Sequence, residues 1–188
     1  MYLDLPEQAH RRRFGSGGPF AFRRRPFLLA HGAQCGRPRQ WVVHTYQVTG
    51  QLDGMLQGIT DAETGERGYI LTGDDSYLAP YHRGLSEVRE SSAAVRRLTV
   101  NNPNQRRSLD VVEPVIGKRL RELQERIQVR RNAGLTAGAA AMREGAGKQY
   151  MDRVRATISE MKSEEERLLT LRSVNEALVL EKHAPCWC

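Results

Sequence analysis

The sequence predicts an all-α fold, an up-down-up-down antiparallel four-helix bundle with long helices. Aromatic residues make up only 6% of the 188 residues while Leu, Arg, Glu and Ala are abundant, which favours helices over a β-sandwich or barrel. Apolar residues recur at alternating steps of three and four along four segments, the spacing of amphipathic helices. Short turn-forming segments separate the four, so antiparallel neighbours are the simplest arrangement.

Each helix is predicted from its own apolar seam, and the seam residues are expected to form the core. The first seam follows Trp41, Thr45, Val48, Leu52, Met55, Ile59 and Ala62. The second follows Leu78, Tyr81, Leu85, Val88, Ser92 and Val95. The third follows Leu109, Val112, Ile116, Leu120, Leu123 and Ile127, with a kink expected at Pro114. The fourth follows Met151, Val154, Ile158, Met161, Glu165, Leu168 and Arg172.

The breaks between the seams are set by residues that favour turns. "NNPNQ", residues 101–105, ends the second helix because Asn102 precedes a proline and is steered away from helical dihedral angles. Residues 132–152 are rich in Gly and Ala and predict either a loop or a weakly helical corner. Glu165 and Arg172 lie in the fourth seam, where they are expected to snorkel, to pair, to face a second subunit or to mark a bundle end that is loosened near solvent.

Most of the net charge of +7 belongs to the N-terminal region, because residues 1–40 contain eight Arg but only two acidic residues. We expect three regions: a disordered or cloning-derived Arg-rich arm over 1–40, a bundle over 41–175 and a C-terminal tail over 176–188. Nucleic-acid binding by the arm is an alternative, but the remaining residues are nearly neutral and carry no nucleic-acid motif.

Metal and cofactor chemistry is not indicated. Cys35, Cys186 and Cys188 are odd in number, and the spacing of His183, Cys186 and Cys188 fits no familiar zinc pattern. No segment reaches the ~18 consecutive apolar residues that suggest a transmembrane helix. We therefore expect no cofactor, no metal and no membrane span within the chain.

The most informative segment is "DAETGERGYILTGDDSYLAPY", residues 61–81, which we call the corner stretch. Its glycines lack the Lys and Ser/Thr of a phosphate-binding loop, and no nucleophile–base pair is evident, so catalysis is not indicated. Gly73 predicts a helix end, with Asp75 or Ser76 as the cap of the next helix. Gly65 and Gly68 would admit a helix backbone or a ligand, and an exposed Glu63–Arg67 pair has favourable helical spacing.

The corner stretch resembles the signature of the third class of CHASE domain, a sensory module of bacterial histidine kinases, cyclases and chemoreceptor-like proteins. "LTVNNPNQ" at 98–105 and "MDRVRATISEMKSEEERLLTLR" at 151–172 extend the resemblance over about residues 41–175. The signature positions are candidate sensory residues or residues of a structural corner: Asp61, Glu63, Thr64, Gly65, Arg67, Gly68, Tyr69, Thr72, Gly73, Tyr77, Pro80 and Tyr81.

The resemblance implies a non-catalytic, extracytoplasmic sensory input domain at the periplasmic face of the inner membrane. It implies a homodimer that responds to an unidentified small-molecule or protein stimulus and transmits by helix shifts to an output domain absent from this chain. Contact with the membrane would come only through flanking helices. A helical adaptor or assembly protein is the alternative from another class, besides nucleic-acid binding through the arm.

Antiparallel geometry gives a hypothesis for the partners of the corner stretch. If Trp41 lies level with Arg172, equal rise per residue places Asp61 opposite residues 152–155. We therefore expect Arg153 or Arg155 to pair with Asp61 or Glu63. In the same register, Glu144 is expected to reach Arg67.

Overall fold

The structure, a computed structural model, describes residues 37–183 and confirms the predicted all-α four-helix bundle. The helices are α1 (Arg37–Thr72), α2 (Leu78–Leu98), α3 (Pro103–Glu144) and α4 (Gly147–His183). A short 3-10 turn, Asp75–Tyr77, lies between α1 and α2. Among these described helices, none is long and apolar enough to cross a membrane.

Both terminal helices extend beyond the predicted limits of the bundle at residues 41 and 175. α1 already includes Arg37, and α4 continues to His183. Most of the Arg-rich arm, with Cys35, and the last residues, with Cys186 and Cys188, lie outside the described residues.

The core confirms most of the predicted seams, because most seam positions are buried, although Leu120, Leu168 and Arg172 are half-buried. Two positions of the second seam differ: Leu85 and Ser92 are half-buried, while the neighbouring Gly84 and Ser91 take the fully buried places. The reason is that α2 packs on α1 through small residues, so Gly84 and Ser91 join Leu78, Tyr81, Val88 and Val95 on its buried face. Trp41, at the start of the first seam, is partly exposed.

α1 and α2 approach each other so closely that their backbones touch. A Cβ atom added to Gly58 would lie 2.8 Å from the carbonyl oxygen of Gly84, and one added to Gly84 would meet the carbonyl oxygen of Gly58 within 3.0 Å. Gly54 adds a third contact, where a Cβ would lie 2.7 Å from a carboxylate oxygen of Glu87. Only glycine leaves room for this spacing between two helices.

α3 reverses direction near its C-terminal end. Gly134 has φ 81° and ψ −173°, a conformation outside the helical region that glycine adopts readily. After it, residues 135–144 fold back, so that Gly138 lies against Arg130 and Ile70. The expected kink at Pro114 is therefore not where the helical dihedral angles break. The Gly- and Ala-rich region forms this return segment and the corner that follows it.

Contacts between side chains fix the arrangement of the helices. Glu63 bonds Arg119 and the Ile70 carbonyl bonds Arg130, so residue numbers on α1 and α3 rise together and the two helices are parallel. The Arg172 guanidinium lies 4.1 Å from the Trp41 ring centroid, and Lys162 pairs with Asp53, so α4 is antiparallel to α1. These contacts confirm the predicted register of Trp41 with Arg172.

Candidate functional site

The corner stretch contains the end of α1 and the start of α2, as predicted. Gly73, at φ 75°, ends α1, and its N–H donates to the Tyr69 carbonyl at 2.7 Å. The Thr72 hydroxyl donates to the Gly68 carbonyl at 2.8 Å and accepts from the Asp74 N–H. Asp74 caps the 3-10 turn that follows, since its carboxylate accepts from the Ser76 N–H at 2.9 Å. The expected cap of the next helix at Asp75 or Ser76 was wrong, because Tyr77 is the N-cap of α2 and makes no side-chain cap bond.

Two signature glycines lie where α2 begins to pack on α1. A Cβ at Gly65 would be 2.6 Å from the Tyr81 backbone nitrogen, and a Cβ at Gly68 would collide with the Tyr77 ring. A helix backbone, one of the two alternatives left open by the sequence, therefore occupies the space beside Gly65. Tyr81 is buried against this contact, whereas Tyr77 is about half-exposed.

Below this corner lies a buried group of charged side chains that we call the corner cluster: Glu63, Glu66, Arg119, Glu122 and Arg126. Arg119 donates through Nε to Glu63 and through Nη1 to Glu122, both at 2.7 Å. Arg126 donates to Glu122 at 2.6 Å. Because Glu63 and Glu66 lie on α1 and the others on α3, the cluster joins two helices that face each other across the bundle.

Glu66 is the member of the cluster that lacks a close partner. Its side chain is 0% exposed, and neither carboxylate oxygen accepts a hydrogen bond from any residue in the described range 37–183. The nearest cationic atom is Arg126 Nη1, 3.8 Å away. Burial raises the pKa of Glu66 to about 7, against the opposing charges of Arg126 and Arg119. Burial and the Glu66 charge also raise the pKa of Tyr81.

The corner between α3 and α4 covers the cluster with backbone. Gly145 lies directly against the Arg126 guanidinium and the Glu122 carboxylate, so closely that an added Cβ atom would displace them. Gly147, the first residue of α4, lies in the same way against the Arg119 guanidinium. The glycines of "EGAGK" therefore have a role that the sequence reading did not assign to them.

Two further arginines of α3 bind the end of α1. Arg130 donates from Nε to the Ile70 carbonyl at 2.7 Å, which satisfies an acceptor in the last turn of α1. Arg131 donates to the Tyr69 hydroxyl at 3.3 Å and to Asp75 at 3.1 Å. Sequence reasoning missed all four α3 arginines at the corner, although Arg119 and Arg126 lie at heptad spacing beside the third seam.

The predicted partners of the corner stretch were wrong. Glu63 pairs with Arg119 of α3, Asp61 accepts from Gln57 at 2.8 Å, and Arg155 lies 3.6 Å from Asp152 on its own helix. The register between α1 and α4 was right, but Glu63 points across the bundle to α3 instead of towards α4. Arg153 is exposed on α4.

The expected contacts of Arg67 were wrong as well. Neither the Glu63–Arg67 pair nor the Glu144–Arg67 pair occurs among the ion pairs of the described residues. Arg67, Glu144 and Thr64 are exposed, and Pro80 is half-buried at the start of α2.

A second buried polar group lies at the opposite end of the bundle, and we call His44, Gln105 and Glu165 the terminal cluster. Gln105 donates to a Glu165 carboxylate oxygen at 3.0 Å and to the Met161 carbonyl at 2.8 Å. His44 Nε2 is 3.1 Å from the Leu98 carbonyl, and Nδ1 is 3.8 Å from Glu165. Glu165 is thus buried and paired, contrary to the alternative of a loosened end.

Grooves open between α2 and α3. Because α2 packs so closely on α1, it leaves part of α3 uncovered. One, of about 250 Å³, lies beside the corner between Tyr81, His82, Gln128 and Arg131. A larger one, of about 390 Å³, is lined mainly by apolar atoms around Met55, Val88 and Ile116. Within residues 37–183, no group of three or more His, Cys, Asp or Glu side chains is placed to hold a metal ion.

With this geometry in place, comparison with known families gives a match to the CHASE3 domain over residues 39–175. The chain belongs to the CHASE3 domain family. CHASE3 domains are extracellular sensory domains, so this chain is a sensory input domain and its family is not a catalytic one. The match covers all the described helices except the ends of α1 and α4 that continue towards the termini.

A solved structure supports the fold of this CHASE3 domain. The chain matches the crystal structure of the sensor domain of the histidine kinase HK9 from Rhodopseudomonas palustris with a TM-score of 0.62 and 20% sequence identity. The match covers 66% of this chain and 97% of the HK9 sensor domain. At this identity, the likeness supports the four-helix architecture alone. No curated protein sequence matches the chain.

Proposed function

We propose that this CHASE3 domain is the periplasmic input module of a bacterial receptor of the histidine-kinase type, and that it works as a homodimer. The observation that carries the proposal is an apolar outer face at the end of the bundle where α1 begins and α4 ends. Leu171, Val174 and Leu178 of α4 are about half-exposed. Their steps of three and four residues follow a heptad face, the pattern by which helices pair.

α1 adds apolar side chains at the same end. Val43 is about half-exposed and Tyr46 is strongly exposed, while Trp41 packs under Arg172 and joins α1 to α4. Pairing of two copies through these faces would remove the exposed apolar surface from water and set the two α4 helices side by side. A shift of α4 by ~1–2 Å relative to α1 would then be passed to the partner and onward to an output domain.

The oligomeric state of the 188-residue chain tests the homodimer directly. Sedimentation equilibrium over a range of micromolar concentrations should show a monomer–dimer equilibrium. Replacing Leu171 and Leu178 together by Lys should give a monomer with unchanged helix content, because two charges would face each other across the seam. Ser173→Lys, a change at an exposed polar position on another side of the same helix, is the matched control and should leave the dimer intact. A wild-type chain that stays monomeric at every concentration contradicts the proposal.

The receptor role needs a second experiment. The chain would replace the sensor domain of a histidine kinase whose autophosphorylation can be measured, with the natural transmembrane helices of that kinase retained. We expect the fused kinase to be regulated and the Leu171→Lys, Leu178→Lys pair to abolish regulation. An adaptor or assembly protein, the alternative function, would instead bind an unrelated protein through the same heptad face and would leave the kinase unregulated.

A further inference from the structure

We infer that the corner cluster is a proton-binding site: Glu66 takes up and releases a proton, and its charge decides whether Arg126 pairs with Glu122 or with Glu66. The stimulus of this sensory domain would then be the pH of its compartment. The signalling part of the inference rests on the proposed receptor function, whereas the proton-binding part does not.

The geometry of Glu66 fits a carboxyl group that is neutral in the structure described. It is 0% exposed, and neither of its oxygens accepts a hydrogen bond within residues 37–183. An ionised carboxylate in such a place would be costly unless a cation came into contact with it. With Glu66 neutral, the two remaining carboxylates, Glu63 and Glu122, balance the charges of Arg119 and Arg126.

Arg126 is the group that would respond to ionisation of Glu66. Its Nη2 bonds Glu122 at 2.6 Å, while its Nη1 lies 3.8 Å from Glu66, just beyond hydrogen-bond distance. When Glu66 loses its proton, a small movement of the guanidinium would form a charge-assisted bond to Glu66 and lengthen the bond to Glu122. This new hydrogen bond would join α1 to α3. While Glu66 is neutral, no hydrogen bond links Glu66 to Arg126.

Movement of Arg126 would act directly on α1 and α4, the two helices that lead to the termini. Glu66 lies on α1, so a new hydrogen bond to Arg126 would draw the end of α1 towards α3. The Arg126 guanidinium also lies against the Gly145 backbone, and Arg119 lies against Gly147, where α4 begins. Because both guanidiniums lie in contact with this backbone, displacement of the Arg126 guanidinium would move the start of α4.

The charged and titratable groups around Glu66 come from three helices. α1 contributes Glu63 and Arg67, α2 contributes Tyr81, and α3 contributes Arg119, Glu122 and Arg126. The corner before α4 faces the cluster with glycine backbone. A surface groove of about 370 Å³, lined in part by Glu122 and Ala146, brings solvent to the edge of the cluster and gives protons a route to it. The raised pKa of Glu66, about 7, agrees with this reading.

Nuclear magnetic resonance of the 188-residue chain, with ¹³C-labelled glutamate, tests proton binding without any assumption about signalling. The carboxyl resonance of Glu66 is the one missing from the Glu66→Gln spectrum. We expect its midpoint near neutral pH, and we expect the amide resonances of Gly145 and Gly147 to titrate with the same midpoint. Glu66→Gln should abolish that glycine titration. Glu125→Gln, an exposed change on the same face of the corner, should preserve it.

Several results would overturn the inference. One is a Glu66 midpoint at the ordinary glutamate pKa of 4.5. Another is a glycine titration that persists in Glu66→Gln and disappears in His44→Gln, which would assign the pH response to the terminal cluster. If Glu66→Gln fails to fold, the Glu66 carboxyl resonance is assigned in the wild type through its scalar couplings to the Glu66 backbone, and its midpoint then decides the question.

The kinase fusion separates this inference from the proposed function. We expect its autophosphorylation to change between about pH 5 and pH 8, and Glu66→Gln to hold it at the acidic level. A fusion that responds to another stimulus but not to pH overturns the sensing inference and leaves the receptor function standing. A fusion that responds to nothing contradicts the receptor function, while the resonance titration still decides whether Glu66 binds a proton.

Discussion

The corner cluster and the terminal cluster both bury carboxylates between helices, but they stabilise them with different partners. At the corner, three carboxylates share two guanidiniums, and Glu66 has no hydrogen bond from the described residues. At the terminal end, one carboxylate, Glu165, is held by the neutral amide of Gln105 and lies near the imidazole of His44. The buried carboxyl groups therefore lie beside guanidiniums at the corner, while at the terminal end the buried carboxylate accepts from an uncharged amide.

This difference suggests separate roles for the two ends of a sensory domain. Breaking one member of a buried ion network leaves an uncompensated charge, so a change of charge at the corner has a large structural effect. Neutral groups can exchange hydrogen-bond partners at a smaller cost. The terminal cluster contacts all four helices, through His44, the Leu98 carbonyl, Gln105 and Glu165, and can rearrange while the helices shift.

The largest expected effect comes from removing a charge at the corner. Arg119→Met should lower the free energy of unfolding by about 3–5 kcal/mol, because it leaves Glu63 buried without its cation. Urea denaturation followed by circular dichroism measures the change. Arg121→Met, an exposed substitution two residues away, is the control and should alter stability by less than about 0.5 kcal/mol. Equal effects of the two substitutions would show that the charge balance at the corner is unimportant for folding.

The second prediction concerns pH and the free energy of unfolding. The folded-state pKa of Glu66 is raised from 4.5 to about 7, so the folded chain keeps this proton at pH values where the unfolded chain has lost it. The stability due to this proton is present below pH 4.5 and is lost as the pH rises to about 7. Linkage gives a loss of about 3 kcal/mol.

Other groups titrate over the same range, so the difference between wild type and Glu66→Gln is the quantity to measure. Denaturation midpoints of both proteins at several pH values supply it. The advantage of Glu66→Gln should grow from about pH 4.5 to pH 7 and stay constant above it. An advantage that does not depend on pH would mean that Glu66 is already ionised throughout.

The third prediction tests whether close packing of α1 on α2 supports the corner. Gly84→Ala should destabilise the fold by about 1–3 kcal/mol, because its Cβ would meet the Gly58 backbone and force the helices apart. Gly50→Ala, on α1 with nothing within 4 Å of the added Cβ, should instead stabilise the fold by up to about 1 kcal/mol. Opposite signs from the same substitution would separate helix packing from helix propensity.

The fold and the corner could be predicted from the sequence because both depend on residues that are close together in the sequence. The four seams follow from apolar spacing, and Gly73 marks the end of α1 through its φ of 75°. The α1–α4 register also followed from equal helical rise, as the contact of Trp41 with Arg172 confirms.

The partners at the corner were not predictable in the same way. Glu63 could face either α3 or α4, and spacing along one helix does not distinguish them, since the choice depends on how α1 is rotated. That rotation is set by the close approach of Gly58 on α1 to Gly84 on α2, a contact between residues that are far apart in the sequence. The reversal of α3 at Gly134 could not be predicted either, because a glycine in a Gly- and Ala-rich region does not by itself indicate a change of chain direction.

The smallest expected effect is at the terminal end, and the same substitution at both ends provides the comparison. Glu165→Gln should change the free energy of unfolding by less than about 1 kcal/mol, because the amide oxygen can still accept from Gln105. Since His44 Nε2 donates to the Leu98 carbonyl, its Nδ1 can in turn accept from the new amide group. Glu63→Gln should cost about 2 kcal/mol, because buried Arg119 loses an ionised partner.

Urea denaturation of Glu165→Gln and Glu63→Gln at one pH above neutrality measures both values in the same way. If Glu165→Gln cost as much as Glu63→Gln, Glu165 would require its charge. The assignment of charge response to the corner alone would then be wrong. A clear difference between the two variants supports separate roles for the two ends, with charge balance at the corner and neutral hydrogen bonding where α1 and α4 lead to the termini.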